Sequence, residues 1–285
     1  MTIQGTLHGI GLRAAHYARV LEDGVRADWA EAVTENFLHR GGRPLATLLR
    51  VRRDMPVALH GVSLSLGSSD ELSREYLDGL AELIARVEPC IVSDHVCFSS
   101  VNYGYSHDLW PLPYTEEALV HLTRRVAQAQ ERLGRQLVLE NVSSYVEYHA
   151  STLHEWDFMS ELARRSGAGI LLDLNNVYVS ATNHGYDPFG YIDALPSEHI
   201  RQLHLAGHSD CGAYLLDDHG SQVPEPVWQL YRYCLERHGS VPTIVEWDEN
   251  LPSLADLEAE AAKARRAELD TLRSQRHALD AAVLP

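Results

Sequence analysis

The sequence predicts an α/β protein whose strands close into a single (β/α)8 barrel. Three observations lead there. The chain has 285 residues with 45% hydrophobic content, enough for one large core and a typical length for such a barrel. Short apolar runs near residues 7–12, 29–35, 56–61, 90–95, 136–141, 169–174, 200–206 and 242–247 alternate with helical patterns. Polar residues able to do chemistry recur where those runs end. Strands alternating with amphipathic helices make a parallel sheet covered by helices, and eight repeats favour closure over an open doubly wound sheet. No linker, low-complexity tract or tandem repeat interrupts the pattern, so residues 1–285 are expected to form one domain.

The helices between the strands carry their own signals. Residues 70–87 place Tyr76, Leu77, Leu80, Leu83, Ile84 and Val87 at helical spacing after the cap candidates Ser69 and Asp70. Residues 115–133 begin with Thr115 before two glutamates, align Leu119, Leu122, Val126, Ala129 and Leu133, and stop at Gly134. Capping boxes at Thr152-x-x-Glu155 and Ser253-x-x-Asp256 predict two further helix starts, and Pro226 reads as a first helical residue. From about residue 255 the chain is rich in Ala, Glu and Arg and is expected to be a C-terminal helix. Residues 96–114, with Phe98, Tyr103, Tyr105, Trp110 and Tyr114, read as a long connection that shapes a pocket.

Composition excludes several classes of partner. With 24 basic and 40 acidic residues the net charge is −16, which repels a phosphate backbone, so nucleic acid is not expected. No segment approaches the roughly 20 apolar residues of a membrane span, and no signal-peptide pattern opens the chain. Cys90, Cys97, Cys211 and Cys234 show no CxxC spacing, as in a protein of a reducing compartment. A soluble cytoplasmic protein is the expectation.

The ends of the apolar runs present Glu35, His60, His95, Glu140, Asp173, His204 and Glu246. In a closed barrel these positions converge on one rim, the face where catalytic groups of this architecture gather. Strand alternation puts His60 on the face of Ala58 and Glu140 on that of Val138, and turns Asp94 away from His95. Asp217-x-His219 and Glu246-x-Asp248 each space two donors for one side of an extended segment. Singly these residues have ordinary explanations: a hydrogen-bonded structural histidine, a helix cap for Asp173, a solvated loop for Asp217 and His219. Jointly they do not, because burying carboxylates beside imidazoles costs several kcal/mol per unpaired ion unless a cation compensates them. A divalent metal is the simplest compensator, and His208, Asp248 and His184 are the nearby candidates for acid–base work.

With these residues assembled, the chain resembles the multinuclear non-haem iron-dependent oxidative enzymes, the family that includes the methanobactin biosynthesis oxidase and was formerly a bacterial family of unknown function. The strings that carry the resemblance are GIGLR at 9–13, LHGVSLSLG at 59–67, SDH at 93–95, LPYT at 112–115 and LENVSSY at 139–145. They continue with LDLNN at 172–176, NHG at 183–185, HLAGH at 204–208, Asp217-x-His219 and EWD at 246–248. The resemblance implies a TIM barrel of the xylose isomerase and endonuclease IV type holding two or three iron ions, Fe(II) or Fe(III). In its ligand order His60 and His95 hold one ion with Glu140 as a bridge, Asp173, His204 and Glu246 hold a second, and Asp217 and His219 join a third. Asn176 stands where the endonuclease has the third site's other histidine, a weaker ligand. The resemblance further implies a precursor peptide substrate made on the ribosome, oxidised at cysteine or another residue with dioxygen (O2) as cosubstrate, and a separate partner protein that presents the peptide. In that chemistry one ion binds a substrate thiolate or carboxylate while its neighbour takes dioxygen. Two alternatives keep the barrel: a divalent-metal hydrolase or sugar isomerase, and a non-enzymatic metal or peptide carrier.

Overall fold

A computed structural model describes residues 7–38 and 41–283, so residues 1–6, 39–40 and 284–285 of the expected domain lie outside the described residues. The strands are β1 (His8–Leu12), β2 (Trp29–Val33), β3 (Val57–His60), β4 (Val92–His95), β5 (Phe98–Val101), β6 (Gly104–Trp110), β7 (Val138–Glu140), β8 (Gly169–Asp173), β9 (Ile200–Leu205), β10 (Ser209–Asp210), β11 (Leu215–Leu216) and β12 (Thr243–Val245). The helices are α1 (Tyr17–Asp23), α2 (Arg43–Asp54), α3 (Arg74–Val87), α4 (Glu116–Leu133), α5 (Glu155–Ser166), α6 (Leu174–His184), α7 (Pro188–Ala194), α8 (Glu225–His238) and α9 (Leu254–Val283).

Eight strands close on themselves in the order β1-β2-β3-β4-β7-β8-β9-β12, with β12 returning to β1, and every pair is parallel. All eight apolar runs become these strands. Their cross-strand register puts His95 beside Glu140 and Asp173 beside His204. Parallel strands joined by helices all point one way, so every strand end arrives at the same rim. At the opposite end the lumen is plugged by Trp29, Ala58 and Ile244, which form a small apolar cluster of their own. Gly9 makes room for this plug, since a Cβ there would lie 2.6 Å from both Ile244 and Trp29. Outside the wall, Leu119, Leu122, Phe158, Leu162 and Tyr231 join the main core, each fully or almost fully buried. Burying a leucine there contributes about 2 kcal/mol. α9 packs on β1 and β12, and Glu268 of this helix meets His8 at 3.0 Å.

Several local expectations are corrected. α3 starts later than Ser69 and Asp70 suggest: Ser73 is the cap, its Oγ accepting from the Tyr76 amide at 3.2 Å. Asp70 is used elsewhere, accepting from the amides of Asn102 and Tyr103 at 3.0 and 2.8 Å. The box at Thr152-x-x-Glu155 does not form, because His154 is the N-cap of α5 and the Thr152 amide bonds the Tyr114 carbonyl. Pro226 is the second residue of α8 rather than the first. The other predicted ends hold, with Thr115 capping α4, Gly134 closing it, and Ser253 accepting from the Asp256 amide.

Residues 96–114 are not an open connection but hold the antiparallel hairpin β5–β6, turned at Asn102 and Tyr103, both at positive φ. Phe98 pairs with Trp110 and Ser100 with Tyr105, so residues 106–109 bulge from the ribbon. Bulges re-aim side chains beside functional sites, and this one carries Asp108 and Leu109 to the barrel mouth.

Gly207, within the HLAGH string after β9, has a specific reason to be glycine. A Cβ there would lie 2.4 Å from the Ser221 carbonyl oxygen and 2.7 Å from that of Gln222, and backbone does not yield as a flexible side chain does. Gly207→Ala is therefore expected to lower stability by about 1–3 kcal/mol. An unchanged urea midpoint would show that the loop is not packed this closely.

Candidate metal centre

The rim assembles from strand ends outward. His60 closes β3 and His95 closes β4, and both rings are oriented from behind. His60 Nδ1 meets Ser93 Oγ at 2.9 Å and His95 Nδ1 meets the Gly61 carbonyl at 3.0 Å. Each ring thereby turns Nε2 to Glu140, the last residue of β7, at 3.2 and 3.1 Å from the same Oε2. Partners on the far nitrogen fix tautomer and direction, as in metal-binding histidines. His204 on β9 points Nδ1 at Glu246, 3.1 Å away, at Glu140, 3.5 Å, and at Asp173, 3.8 Å. Asp173 has two roles: Oδ1 caps α6 by accepting from the Asn176 amide at 2.7 Å, while Oδ2 stays free of hydrogen bonds inside the cluster.

His219 stands on the outer side, its Nδ1 at 3.5 Å from Glu246 and 3.1 Å from Asp248, its Nε2 at 2.7 Å from Asp217. Asp217 is further held by Ser143 Oγ and Asn175 Nδ2, both at 2.8 Å. Asn176 lines the same cavity, with Oδ1 buried and unbonded and Nδ2 tied to the Asn141 carbonyl. The expected ligands His60, His95, Glu140, Asp173, His204, Asp217, His219 and Glu246 thus come together in one place.

Two participants escaped the sequence reading. Glu35 is not at the rim: β2 ends at Val33, and Glu35 sits on a 3-10 turn (Thr34–Phe37), accepting from Tyr76 Oη and the Val62 amide. The carboxylate that β2 supplies is Glu31, 2% exposed and 2.8 Å from His204 Nε2. Its signal was alternation, which puts Glu31 on the face of Trp29, two residues above the plug. Arg13, the last residue of GIGLR, is the other. Its Nη2 donates to Glu246 at 2.8 Å and its Nε to Asp248 at 2.7 Å. The three residues considered for acid–base work separate. Asp248 lines the mouth; His208 bonds Asn175 Oδ1 at 2.7 Å and reaches the cluster through it; His184 faces a different cavity.

Charge is the dominant property of the site. Glu31, Glu140, Asp173, Asp217, Glu246 and Asp248 gather around four imidazoles and the Arg13 guanidinium. Burial opposes ionisation of Glu140, but His95, His60 and His204 hold its pKa down to about 2. Burial also works against charge on His204 and His219, yet Glu31 and Glu246 around the first and Asp217 beside the second raise both well above the usual histidine range. Burial, with Glu140 nearby, pushes Asp173 up to about 7. The polypeptide alone must hold protons on imidazoles and a carboxyl to balance this charge, and cations would replace them.

Among the described residues four groups of three donors stand close enough to share an ion: His60–His95–Glu140, Glu140–Asp173–His204, Glu31–His204–Glu246 and Asp173–His219–Glu246. They are linked through shared Glu140, Asp173, His204 and Glu246. Within them Glu31 Oε1, Glu140 Oε2, Asp173 Oδ2, His204 Nδ1 and His219 Nε2 are buried and make no hydrogen bond among the described residues. Such atoms are costly unless something coordinates them. Mixed imidazole and carboxylate donors suit first-row transition metals, so the residues fit the expected ions. The cavity they line has a volume of about 450 Å³, with Asp108, Leu109 and Tyr145 at its entrance.

A second cavity of about 560 Å³ lies alongside. His184 lines it, its Nε2 at 2.6 Å from Ser144 Oγ and its Nδ1 at 3.8 Å from Glu147. So does Glu155, whose carboxyl burial pushes up to about 8 although the nearby Tyr114 and Tyr191 hydroxyls favour its ionised form. A carboxyl raised in the fold binds more protons folded than unfolded, so its effect on stability turns unfavourable as pH climbs from its unfolded value through about 8. Glu155→Gln is expected to match wild type near pH 5 and to melt higher at pH 8.5. Parallel melting curves across that range would contradict the assignment.

The closed parallel barrel with linked histidine and carboxylate groups at one rim defines a TIM barrel whose donor groups could hold metal ions. The chain belongs to the family described as RiPP precursor modification enzyme MbnB/TglH/ChrH, whose model matches residues 7–268. It is thus an enzyme of a family acting on precursors of ribosomally made, post-translationally modified peptides. A UPF0276 protein of Anaeromyxobacter sp. (strain Fw109-5) is 57% identical over 265 residues, covering 93% of this chain and 94% of the relative. Among solved structures, an L-ribulose 3-epimerase aligns with TM-score 0.67 at 14% identity, covering 99% of this chain and all of the other. A xylose isomerase-like TIM barrel protein from Mycobacterium smegmatis, in complex with magnesium, aligns with TM-score 0.60 at 14% identity, covering 91% of this chain and 89% of the other. At such identity these likenesses speak for the fold. Among the described residues no helix is long and apolar enough to cross a membrane.

Proposed function

We propose that the chain is an iron- and dioxygen-dependent oxidoreductase that modifies a ribosomally synthesised precursor peptide at cysteine or another specific residue. The observation that carries this reading is the linkage of the donor groups through shared carboxylates, which suits two or three ions held side by side. His60, His95 and Glu140 would hold one; Glu140, Asp173 and His204 a second, with Glu246 and Glu31 beside it; Asp173, His219 and Glu246 a third, with Asp217 and Asn176 adjoining. Bound iron supplies redox chemistry and open positions for substrate and dioxygen.

The rest falls to the polypeptide. Ser93 and the Gly61 carbonyl keep the first two imidazoles facing inward, and Arg13 draws Glu246 and Asp248 to one side of the mouth. Asp248, between Arg13 and His219, is the titratable group best placed to pass a proton at the entrance. The hairpin bulge narrows that entrance with Asp108 and Leu109, restricting water and orienting an incoming chain. A separate protein that presents the peptide completes the proposal.

The test is anaerobic purification, metal analysis and Mössbauer spectroscopy, followed by oxygen uptake when the peptide encoded beside the gene is added. Iron-dependent uptake is expected. Full activity with zinc alone and no oxygen would end the oxidase reading and leave a hydrolase or isomerase. Metal without any turnover would leave a carrier.

A further inference from the structure

The second cavity has a chemistry of its own. Glu155, the first residue of α5, lines this cavity. The Tyr114 and Tyr191 hydroxyls face that carboxyl, and Trp156, Tyr148 and Tyr186 supply aromatic wall. Trp156 meets Tyr186 edge to face with ring centroids 5.6 Å apart, which fixes the wall in place. Glu147 adds a second carboxylate at the rim, and among the described residues neither lysine nor arginine lines the cavity. An anion entering there would meet two carboxyl groups and, apart from the imidazoles of His149, His154 and His184, no cationic side chain. A cation would meet ring faces, phenol oxygens and a desolvated carboxyl that is ionised above about pH 8, the combination that recognises ammonium and guanidinium groups. The chain's net charge of −16 draws such groups inward.

Position adds the second half. The two cavities share one wall, the segment after β7. Ser143 and Tyr145 face the metal centre, whereas Ser144 and Val146 face the second cavity. An extended peptide lying across this wall would lower one side chain to each side. Side chains two residues apart in an extended chain sit about 7 Å from each other, comparable with the thickness of a single segment.

We propose that the cavity lined by Glu155, Trp156, Tyr148 and Tyr186 is a specificity pocket for a lysine or arginine side chain of the substrate peptide, near the residue presented to the metal centre. The proposal rests on the peptide-modifying reading above and deepens it.

Calorimetric titration of the metal-loaded protein, without oxygen, tests it using n-butylguanidinium, n-butylammonium, butyrate and the capped tripeptide acetyl-Ala-Arg-Ala-amide. The two cations and the tripeptide are expected to bind saturably and butyrate not at all. At about pH 9, where the Glu155 carboxyl is ionised, Glu155→Gln should weaken the cations by about tenfold or more at unchanged metal content. Should that variant lose its native melting transition, Tyr148→Ala serves instead, with an expected loss of several-fold. Undiminished binding in a folded variant, or preference for butyrate, overturns the pocket. Binding of the free cations without the tripeptide overturns its assignment to a peptide side chain. Because no turnover is read, tripeptide binding beside absent oxygen uptake sinks the oxidase reading and leaves this pocket standing; the reverse result sinks only the pocket.

Discussion

Glu140→Ala is expected to release bound metal, with affinity falling more than about 100-fold, while the barrel still folds. Glu140 is shared by two of the donor groups, so its loss takes an oxygen from both at once. Ordinarily the loss of a partner that merely orients a ligand costs 10- to 100-fold in affinity, and a shared ligand must cost more. The fold is expected to survive because β7 is held in the wall by its backbone ladder to β4 and β8, which alanine leaves intact. His95→Ala should likewise lose metal with the barrel retained. Metal content by mass spectrometry and far-ultraviolet circular dichroism read the two parts separately. Wild-type metal content in both variants would remove Glu140 and His95 from the centre.

The second large effect is on stability. Arg13→Ala should destabilise the protein by about 3–5 kcal/mol, the usual consequence of deleting one partner of a buried ion pair. The guanidinium side chain is 10% exposed and bonds Glu246 and Asp248, leaving both carboxylates beside the others of the cluster when it is gone. Arg13→Lys should recover only part of this, because an ammonium cannot fork between two acceptors as a guanidinium does. Urea unfolding of the metal-depleted protein isolates the effect, since added metal would mask it by binding the native state. A midpoint within experimental error of wild type would mean that the cluster is balanced without Arg13.

Most of the barrel was legible because its signals are local. An apolar run of five residues, a Thr before two Glu, or a Gly after the last apolar position acts through neighbours within a few residues. The same holds for the strand-end ligands: His60, His95 and Glu140 end short strands, His204 stands one residue before the end of β9, and parallel closure does the rest. Where a side chain had a distant competitor, local reading failed. Asp70 was expected to start a helix but holds the hairpin turn thirty-odd residues away, and Glu155 turned from a capping box into a tyrosine-walled cavity. Glu31 and Glu35 show the limit most directly, since both lie near the end of one apolar run and only the end of β2 at Val33 decides which one faces the lumen.

By itself, then, the amino-acid order determined the eight barrel strands and the helices α3, α4, α5, α8 and α9, that the sheet is parallel, and which donor types stand near the strand ends, because periodicity and capping are short-range. Only the tertiary structure decided that Glu31 and Arg13 enter the centre, that His184 belongs to a neighbouring cavity, and that one segment divides the two. Those facts depend on contacts between residues as far apart as Arg13 and Glu246, whose meeting is set by how the barrel closes.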